Sequence, residues 1–258
     1  MRKISVWIVF FAVIYLAALL TLMPARFAIN DIAPKFGIEL EKDWTFDNVS
    51  GRIWNGQFAG LAYQGTPIGL VGWELGFFRL LIGDVALHWS LETKNGALDG
   101  DVVIGPSGTF TLLDTQGDIA VSDLLQFFPY LPVPIDGTIS TNISEIQMAG
   151  KRIKSIEGEL LLQRAEIFYT EKVALGDIKL DVKTEGDDGL ILADISNNGG
   201  DIAISSSATL NNNGKYQIKG SLEPVSKSAR GLISMLSMFG KIERSGKLRI
   251  NRSGVLYK

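Results

Sequence analysis

The sequence predicts a mainly β protein in which a single N-terminal transmembrane helix precedes an antiparallel meander sheet with a short C-terminal helix. Three observations support this fold class. Residues 4–23 are uncharged and almost wholly apolar, most of the remaining chain alternates apolar with polar residues, and Asn-Gly or Asp-Gly pairs separate the alternating segments. Alternation is typical of strands that bury one face, and these pairs favour tight hairpin turns.

The apolar segment at residues 4–23 follows Arg2 and Lys3 and contains no charge. Twenty helical residues reach about 30 Å, which matches the hydrocarbon core of a bilayer. A cleaved signal peptide and a buried core helix are the alternatives. Residues 23–26, Met-Pro-Ala-Arg, lack the small residues that a signal cleavage site needs. The positive-inside rule then predicts a cytoplasmic tail at residues 1–3 and an extracytoplasmic domain at residues 24–258.

The compartment is predicted from composition. The chain has no cysteine and a net charge of −3. A secreted eukaryotic domain would more often contain disulfides, so a bacterial periplasm and an inner-membrane location are favoured. The acidic balance argues against a nucleic-acid partner, which would require a basic surface.

Strands are predicted wherever the alternation recurs, and helices are few. We expect a helix at residues 25–36 that continues or follows the anchor, and a short helix at residues 122–128. Residues 77–82 form either a short helix on the sheet or an exposed apolar patch for a partner. Residues 226–239 place Leu232, Ile233, Leu236 and Phe239 on one face, and a final strand is expected at 246–256. A proline-rich link at 128–134 divides the domain into segments 44–128 and 135–258, which are either a weak duplication or a coincidence. A curled sheet of two similar halves is the architecture that this division favours. The alternating segments are residues 85–91, 98–104, 110–112, 119–121, 139–143, 160–162, 178–182, 190–192, 202–204 and 216–222.

Catalytic and metal-binding signatures are missing. His88 is the only histidine, and the alternation places it on the solvated face of its strand. The usual zinc, dinucleotide and P-loop motifs are absent, and the acidic pairs such as Glu157 and Glu159 are best interpreted as solvated strand faces. We therefore predict a protein that is not an enzyme and has no catalytic, cofactor-binding or metal-binding residues.

A tryptophan-glycine motif remains to be explained. Gly51 and Gly56 bracket residues 52–55, which suggests a short strand with tight ends that carries Trp54, and Trp73 precedes the segment Glu-Leu-Gly-Phe-Phe at 74–78. Core packing is the simpler interpretation of Trp54, Trp73 and Trp89, since each buries about 200 Å². A protein-contact surface is the alternative. Gly51, Trp54, Gly56 and Trp73 are therefore candidates for an assembly or a core motif.

These residues resemble a known family. The order of an N-terminal anchor, Val-Ser-Gly-Arg-Ile-Trp-Asn-Gly at 49–56, Trp-Glu-Leu at 73–75, Ile-Ser-Asn-Asn-Gly-Gly at 195–200 and Gly-Lys-Leu at 246–248 is similar to protein N of the bacterial type II secretion system. The resemblance covers nearly the whole chain. It implies a bitopic inner-membrane protein that contacts other secretion subunits and assists export of folded proteins, without catalytic residues. We expect the assembly contacts within residues 51–73.

A second resemblance points to another class of function. Proteins of the AsmA kind share the anchor, the amphipathic strands and a similar Gly-rich rhythm. This resemblance implies a lipid-binding or lipid-transfer module, in which Val85, Leu87, Trp89 and Leu91 would line an open apolar groove.

Overall fold

The computed structural model describes residues 7, 10–12, 14, 15, 18, 19, 21–32, 43–80, 83–127, 135–150, 152–168, 171–186 and 188–255. The chain divides into two compact units, Met1–Glu92 (unit 1) and Thr93–Lys258 (unit 2). Each unit is built on antiparallel strands, and strand pairing in each follows the order of the chain almost throughout. The predicted meander sheet is thereby confirmed.

Unit 1 is built around strand β3. Strands β1 and β2 both pair with β3, β3 pairs with β4, and β4 pairs with β5. The register places Phe58, Val71 and Leu91 on one apolar face and Gln57, Gly72 and Ser90 on the other. The strand bounds are β1 Trp44–Thr45, β2 Asn48–Gly51, β3 Asn55–Tyr63, β4 Thr66–Leu75 and β5 Val85–Thr93.

Unit 2 is a longer meander. Each strand from β6 to β13 pairs with the next, and β13 then pairs with β15, whose other edge carries the two-residue β14. The bounds are β6 Gly96–Ile104, β7 Thr109–Ala120, β8 Ile135–Ala149, β9 Arg152–Phe168, β10 Lys172–Glu185, β11 Leu190–Asn198, β12 Ile202–Leu210, β13 Lys215–Pro224, β14 Lys241–Ile242 and β15 Leu248–Val255.

Four short α-helices accompany the described strands. They are α1 Ala25–Phe27, α2 Phe77–Leu80, α3 Val121–Leu125 and α4 Ala229–Met235. A π-helical segment Ala28–Ile32 follows α1, and a 3-10 turn Leu236–Phe239 follows α4. The short helices predicted near residues 77 and 122 and the C-terminal helix are confirmed. Residues 33–36 of the first predicted helix lie outside the described residues.

The core of unit 2 lies under α4. Leu232 and Ile233 of the helix are each 2% exposed and pack on Ile202, Val173 and Leu248 of the sheet. Leu232, Ile233 and Leu236 share the face that packs on the sheet, as the sequence predicts. Phe239 does not, because the α-helix ends at Met235 and leaves this side chain 49% exposed. Leu162, Ile178, Ile204 and Leu222 extend this cluster along the same sheet face. The opposite face is polar and includes an ion pair between Lys179 and Glu159 at 2.8 Å.

The proline-rich link at 128–134 lies outside the described residues. Strands β7 and β8 on either side of it pair directly along most of β7. The division between units falls instead between Glu92 and Thr93. The two similar halves at 44–128 and 135–258 stay a prediction.

Among the described residues, no helix has both the length and the apolar character needed to cross a membrane. Nine of the twenty residues of the predicted span at residues 4–23, and all of residues 1–3, lie outside the described residues.

Candidate functional site

Residues 52–55 form the loop of a tight hairpin in unit 1. Strand β2 ends at Gly51 and strand β3 begins at Asn55. The Arg52 N–H donates to the Asn55 carbonyl at 2.7 Å, and the Asn55 N–H donates to the Arg52 carbonyl at 3.2 Å. The predicted short strand at 52–55 is therefore wrong. Ile53 and Trp54 belong to residue types that favour strands, which is why the sequence predicts a strand. The chain reverses direction here instead, because the main-chain groups of Arg52 and Asn55 pair with each other across the turn.

Gly51 and Gly56 are required for different reasons. Gly51 has φ +89°, a conformation that L side chains rarely adopt, and a Cβ there would lie 2.5 Å from the Asn55 carbonyl oxygen. Gly56 lies opposite Trp73 in the β3–β4 ladder, and a Cβ there would lie 2.5 Å from Cζ2 of the indole. The first glycine permits the turn, and the second makes room for the tryptophan ring.

Trp73 fastens the hairpin loop to strand β4. Its indole Nε1 donates to the Ile53 carbonyl at 3.1 Å, and its ring lies 4.8 Å from that of Phe58, centroid to centroid. Trp54 contacts Phe77 edge-on at 5.5 Å, and its carbonyl accepts a hydrogen bond from Leu75 N–H at 2.6 Å. The structure thus brings the four candidate residues into one cluster, which we call the Trp hairpin: Gly51, Trp54, Gly56 and Trp73.

None of the tryptophans predicted as core is fully buried. Trp54, Trp73 and Trp89 are each partly exposed in the structure. Trp89 lies opposite Trp73 on β5, and its indole N–H is buried without a hydrogen-bond partner among the described residues. The fully buried residues of unit 1 are smaller, with Ala25 at 0%, Val49 at 5% and Leu61 at 7% exposure.

The N-terminal segment ends on the same hairpin. The Met23 carbonyl accepts from Ile53 N–H at 3.1 Å, and Pro24 forms an antiparallel bridge with Arg52. Ala25 and Ala28 are buried next to it. The hairpin loop therefore holds the chain at the point where the predicted span ends. Sequence reasoning missed this contact, because no local pattern links residues 23–25 to residues 52–53.

A shallow polar depression lies on the other face of the unit 1 sheet. It has a volume of about 420 Å³ and is lined by polar residues of β2 to β5 together with Trp73 and three glycines. His88 and Glu74 are exposed cross-strand neighbours within it, as expected for a solvated strand face. Over the described ranges, no group of three or more His, Cys, Asp or Glu residues could hold a metal ion. The polar lining residues include Ser50, Gln57, Glu74, His88 and Ser90.

The fold and this site define an antiparallel β protein whose distinctive residues serve main-chain geometry and packing. Residues 42–251 match the family described as type II secretion system (T2SS), protein N. The chain belongs to this family, and the resemblance found in the sequence is confirmed.

Two relatives match along nearly their whole length. The chain is 23% identical to the type II secretion system protein N of Aeromonas hydrophila over 249 residues, covering 95% of each chain. It is 20% identical to the protein of the same name from Vibrio cholerae serotype O1 over 254 residues, covering 95% of this chain and 96% of the relative. No solved structure matches the chain.

Proposed function

We propose that this protein is an accessory subunit of the type II secretion system in the bacterial inner membrane and assists export of folded proteins by contacting other subunits. The family match over residues 42–251 is the observation that carries the proposal. Residues 1–3 are cytoplasmic, residues 4–23 span the membrane, and the remainder is periplasmic. The protein acts through binding rather than catalysis, so it needs no cofactor.

The Trp hairpin supports a specific arrangement at the membrane. Because the Met23 carbonyl and Pro24 are bonded to Ile53 and Arg52, the hairpin lies at the membrane surface where the anchor ends. The polar face with Gln57 and Ser90 then presents its depression to neighbouring subunits close to the bilayer. Residues 51–73 carry assembly contacts in this proposal.

Co-purification from native membranes tests the proposal. The full-length protein should recover other type II secretion subunits, and its deletion should reduce release of the exported proteins. Gln57→Arg would place a long cation in the depression, so it should lower subunit recovery. Gln116→Arg is the matched control, because Gln116 is an exposed residue of β7 in unit 2. Normal secretion after deletion, with no subunit recovered by the wild type, would contradict the proposal.

Lipid binding or transfer, as in proteins of the AsmA kind, is a second candidate because one face of the unit 2 sheet is apolar well beyond α4. The β6–β9 end of this face carries Val102, Leu112, Ile146 and Ile156 at aligned positions, all partly exposed. Farther along, Ile104 is 42% exposed and Phe110 is 37% exposed. Exposed apolar surface of this kind accommodates acyl chains or a partner equally well.

Mass spectrometry of lipids distinguishes the two functions. A soluble fragment of residues 30–258, purified without detergent, should carry no lipid if the protein is a secretion subunit only. Stoichiometric phospholipid that is lost in Ile146→Glu but retained in Gln116→Arg would favour lipid transfer. The apolar groove predicted in unit 1 stays a prediction. Its four residues are all at least partly exposed, with Val85 at 37%, but partial exposure does not by itself define a groove; the other three are Leu87, Trp89 and Leu91.

A further inference from the structure

Strand β15 has one long edge without a strand partner in the described part of the chain. It pairs with β13 along its whole length, whereas β14 covers only Leu248 and Arg249. The Glu243 N–H donates to the Lys247 carbonyl at 2.8 Å, so the main chain of Lys247 faces the β14 side. Main-chain groups alternate in direction along an antiparallel strand. Asn251, Ser253 and Val255 therefore direct their N–H and C=O groups outward.

This edge lacks three of the protections against strand pairing that natural sheets use. Natural edge strands are commonly shortened, bulged or interrupted by proline. Strand β15 runs for eight residues, Leu248–Val255, contains no proline, and pairs with β13 without a register shift. Asn251, Arg252 and Ser253 are all exposed. The edge is thus ready to accept one more strand.

The side chains around the edge are basic, although the whole chain has a net charge of −3. Residues 241–255 contain five basic residues and a single acidic one, Glu243. Glu243 pairs with Arg249, and Lys247 pairs with Glu223 of β13 at 3.2 Å, so Lys241, Arg244 and Arg252 supply the remaining positive charge. Arg252 donates to the carbonyls of Met238 at 3.1 Å and Phe239 at 3.4 Å, which fixes its guanidinium beside the edge. The basic residues are Lys241, Arg244, Lys247, Arg249 and Arg252.

Apolar side chains lie exposed next to the same edge. Met238 is 69% exposed, Phe239 49%, Ile242 38% and Val255 51%. Exposed apolar residues grouped beside an open strand edge are typical of a contact surface. An incoming strand would find both main-chain partners and apolar contacts here.

We propose that the outer edge of β15 binds an extended segment of another secretion subunit by strand addition, with acidic and apolar side chains on that segment. The inference rests on the proposed function and names the surface that serves it. A second copy of this chain fits less well, because antiparallel pairing of two β15 edges about Arg252 would place the two Arg252 side chains opposite each other. A lipid surface would use the side chains but leave the main-chain groups unpaired.

Site-specific photocrosslinking in the full-length protein tests the edge directly. The chain has no cysteine, so Ser253→Cys supplies a single attachment point for a thiol-reactive photocrosslinker. Ser207→Cys is the matched control, because Ser207 is an exposed serine on β12, away from any sheet edge. After irradiation of native membranes, position 253 should crosslink to another secretion subunit, identified by mass spectrometry, and position 207 should not.

Each other outcome overturns the inference. An adduct of twice the protein's own mass would indicate self-pairing, a lipid adduct would indicate a membrane contact, and equal or absent crosslinking at the two positions would show no preference for the edge. The crosslinked peptide of the partner should contain acidic residues, and a basic or neutral peptide would contradict the predicted chemistry.

A proline substitution separates this inference from the proposed function. Ser253→Pro removes an outward N–H and leaves the ladder with β13 intact, so it should lower subunit recovery about two- to tenfold, the effect of one lost hydrogen bond. Ser253→Ala keeps the N–H and should recover subunits at the wild-type level. Unchanged recovery with a protease-resistant Ser253→Pro variant would overturn the edge site alone. Failure of the wild type to recover any secretion subunit would instead overturn the proposed function. The crosslinking experiment does not depend on the proline variant, so it still tests the edge if that variant unfolds.

Discussion

Asn197 joins three segments of unit 2 through a single side chain. Its two amide N–H groups, one of them shared, donate to the carbonyls of Leu175 at 2.6 Å, Ile202 at 2.7 Å and Gly199 at 2.9 Å, and its Oδ1 accepts from Ile204 N–H at 2.7 Å. Gly200 follows with φ +89°, where a Cβ would lie 2.5 Å from the carbonyl carbon of Leu175. The Asn-Asn-Gly-Gly sequence at 197–200 therefore has a structural reason, because it closes the β11–β12 turn against β10.

Asn197→Ala should lower the free energy of unfolding by about 2–4 kcal/mol, since it leaves several partly buried main-chain groups without partners. The measurement is urea unfolding of the detergent-solubilised full chain. Asn213→Ala is the control, because Asn213 is exposed at a turn and surface substitutions usually change stability by less than about 0.5 kcal/mol. Equal midpoints for the two variants would contradict this role.

Trp54→Ala should lower the free energy of unfolding by about 1–2 kcal/mol, which is less than the 3–5 kcal/mol that truncation of a core aromatic residue typically costs. The indole is partly exposed and contacts Phe77, while the bond from Leu75 N–H to the Trp54 carbonyl survives the substitution. Limited proteolysis and co-purification should be measured together. Near wild-type protease resistance with loss of secretion subunits would assign Trp54 to a contact surface, and strong destabilisation would assign it to the core.

The residues of the Trp hairpin could be selected from the sequence, but their arrangement could not. Aromatic and glycine residues in a strand-rich segment stand out by type. Their contacts join residues about twenty positions apart in the chain. The hydrogen bond from the Trp73 indole to the Ile53 carbonyl, for example, forms only in the observed register of β3 and β4. Gly51 can be recognised as a turn residue only when it is known that the main chain of Arg52 pairs with that of Asn55.

At the scale of elements, helix α4 is the main cover of the unit 2 core. Leu232→Ala should destabilise the protein by about 2–5 kcal/mol, because Leu232 is 2% exposed and packs against the sheet. Gly231→Ala should stabilise it by about 0.5–1 kcal/mol, since a Cβ at this helical glycine meets open space. Thermal unfolding of both variants checks the pair, and a shift of the same sign in both would contradict this packing.

Helix α3 is tied to the start of unit 2 by Asp123. Its carboxylate accepts from Thr93 Oγ1 at 2.7 Å and from Asn95 N–H at 2.9 Å. Partial burial raises the pKa of Asp123, but the hydrogen bonds from Thr93 and Asn95 and the nearby charge of Lys94 outweigh it, so the pKa lies below the ordinary value of 3.8. The ionised carboxylate therefore stabilises the fold above this value, and protonation removes the contribution as the pH falls through the lower folded pKa.

Asp123→Asn should consequently be less stable than the wild type near pH 7, by no more than about 1 kcal/mol because the group is largely solvated. The difference should shrink as the pH falls below 3.8. Denaturation midpoints of both proteins across pH 2–7 provide the measurement. A difference that is constant with pH, or that grows in acid, would contradict the role of the charge.

For the whole molecule, the meander was predictable because alternation and hairpin turns are local properties of the chain. Strands such as β11 and β12 pair with their neighbours through a short turn, so sequence order nearly determines sheet order. Besides the β1–β3 pair of unit 1, two exceptions are non-local. Strand β15 pairs with β13 past α4, and Pro24 bridges to Arg52 across more than twenty residues. Both exceptions lie at the surfaces that we propose for function.

Topology is the prediction for the whole chain. Arg2 and Lys3 precede the apolar segment at 4–23, and basic residues are retained on the cytoplasmic side of a bacterial inner membrane. A reporter active only in the periplasm should therefore be active when fused after Lys258, and one active only in the cytoplasm should be inactive. Reversing the charge, with Arg2→Glu and Lys3→Glu together, should reduce the periplasmic signal. Activity of the cytoplasmic reporter alone would reverse the orientation, whereas a mature chain in the soluble fraction would show that the segment is a cleaved signal peptide.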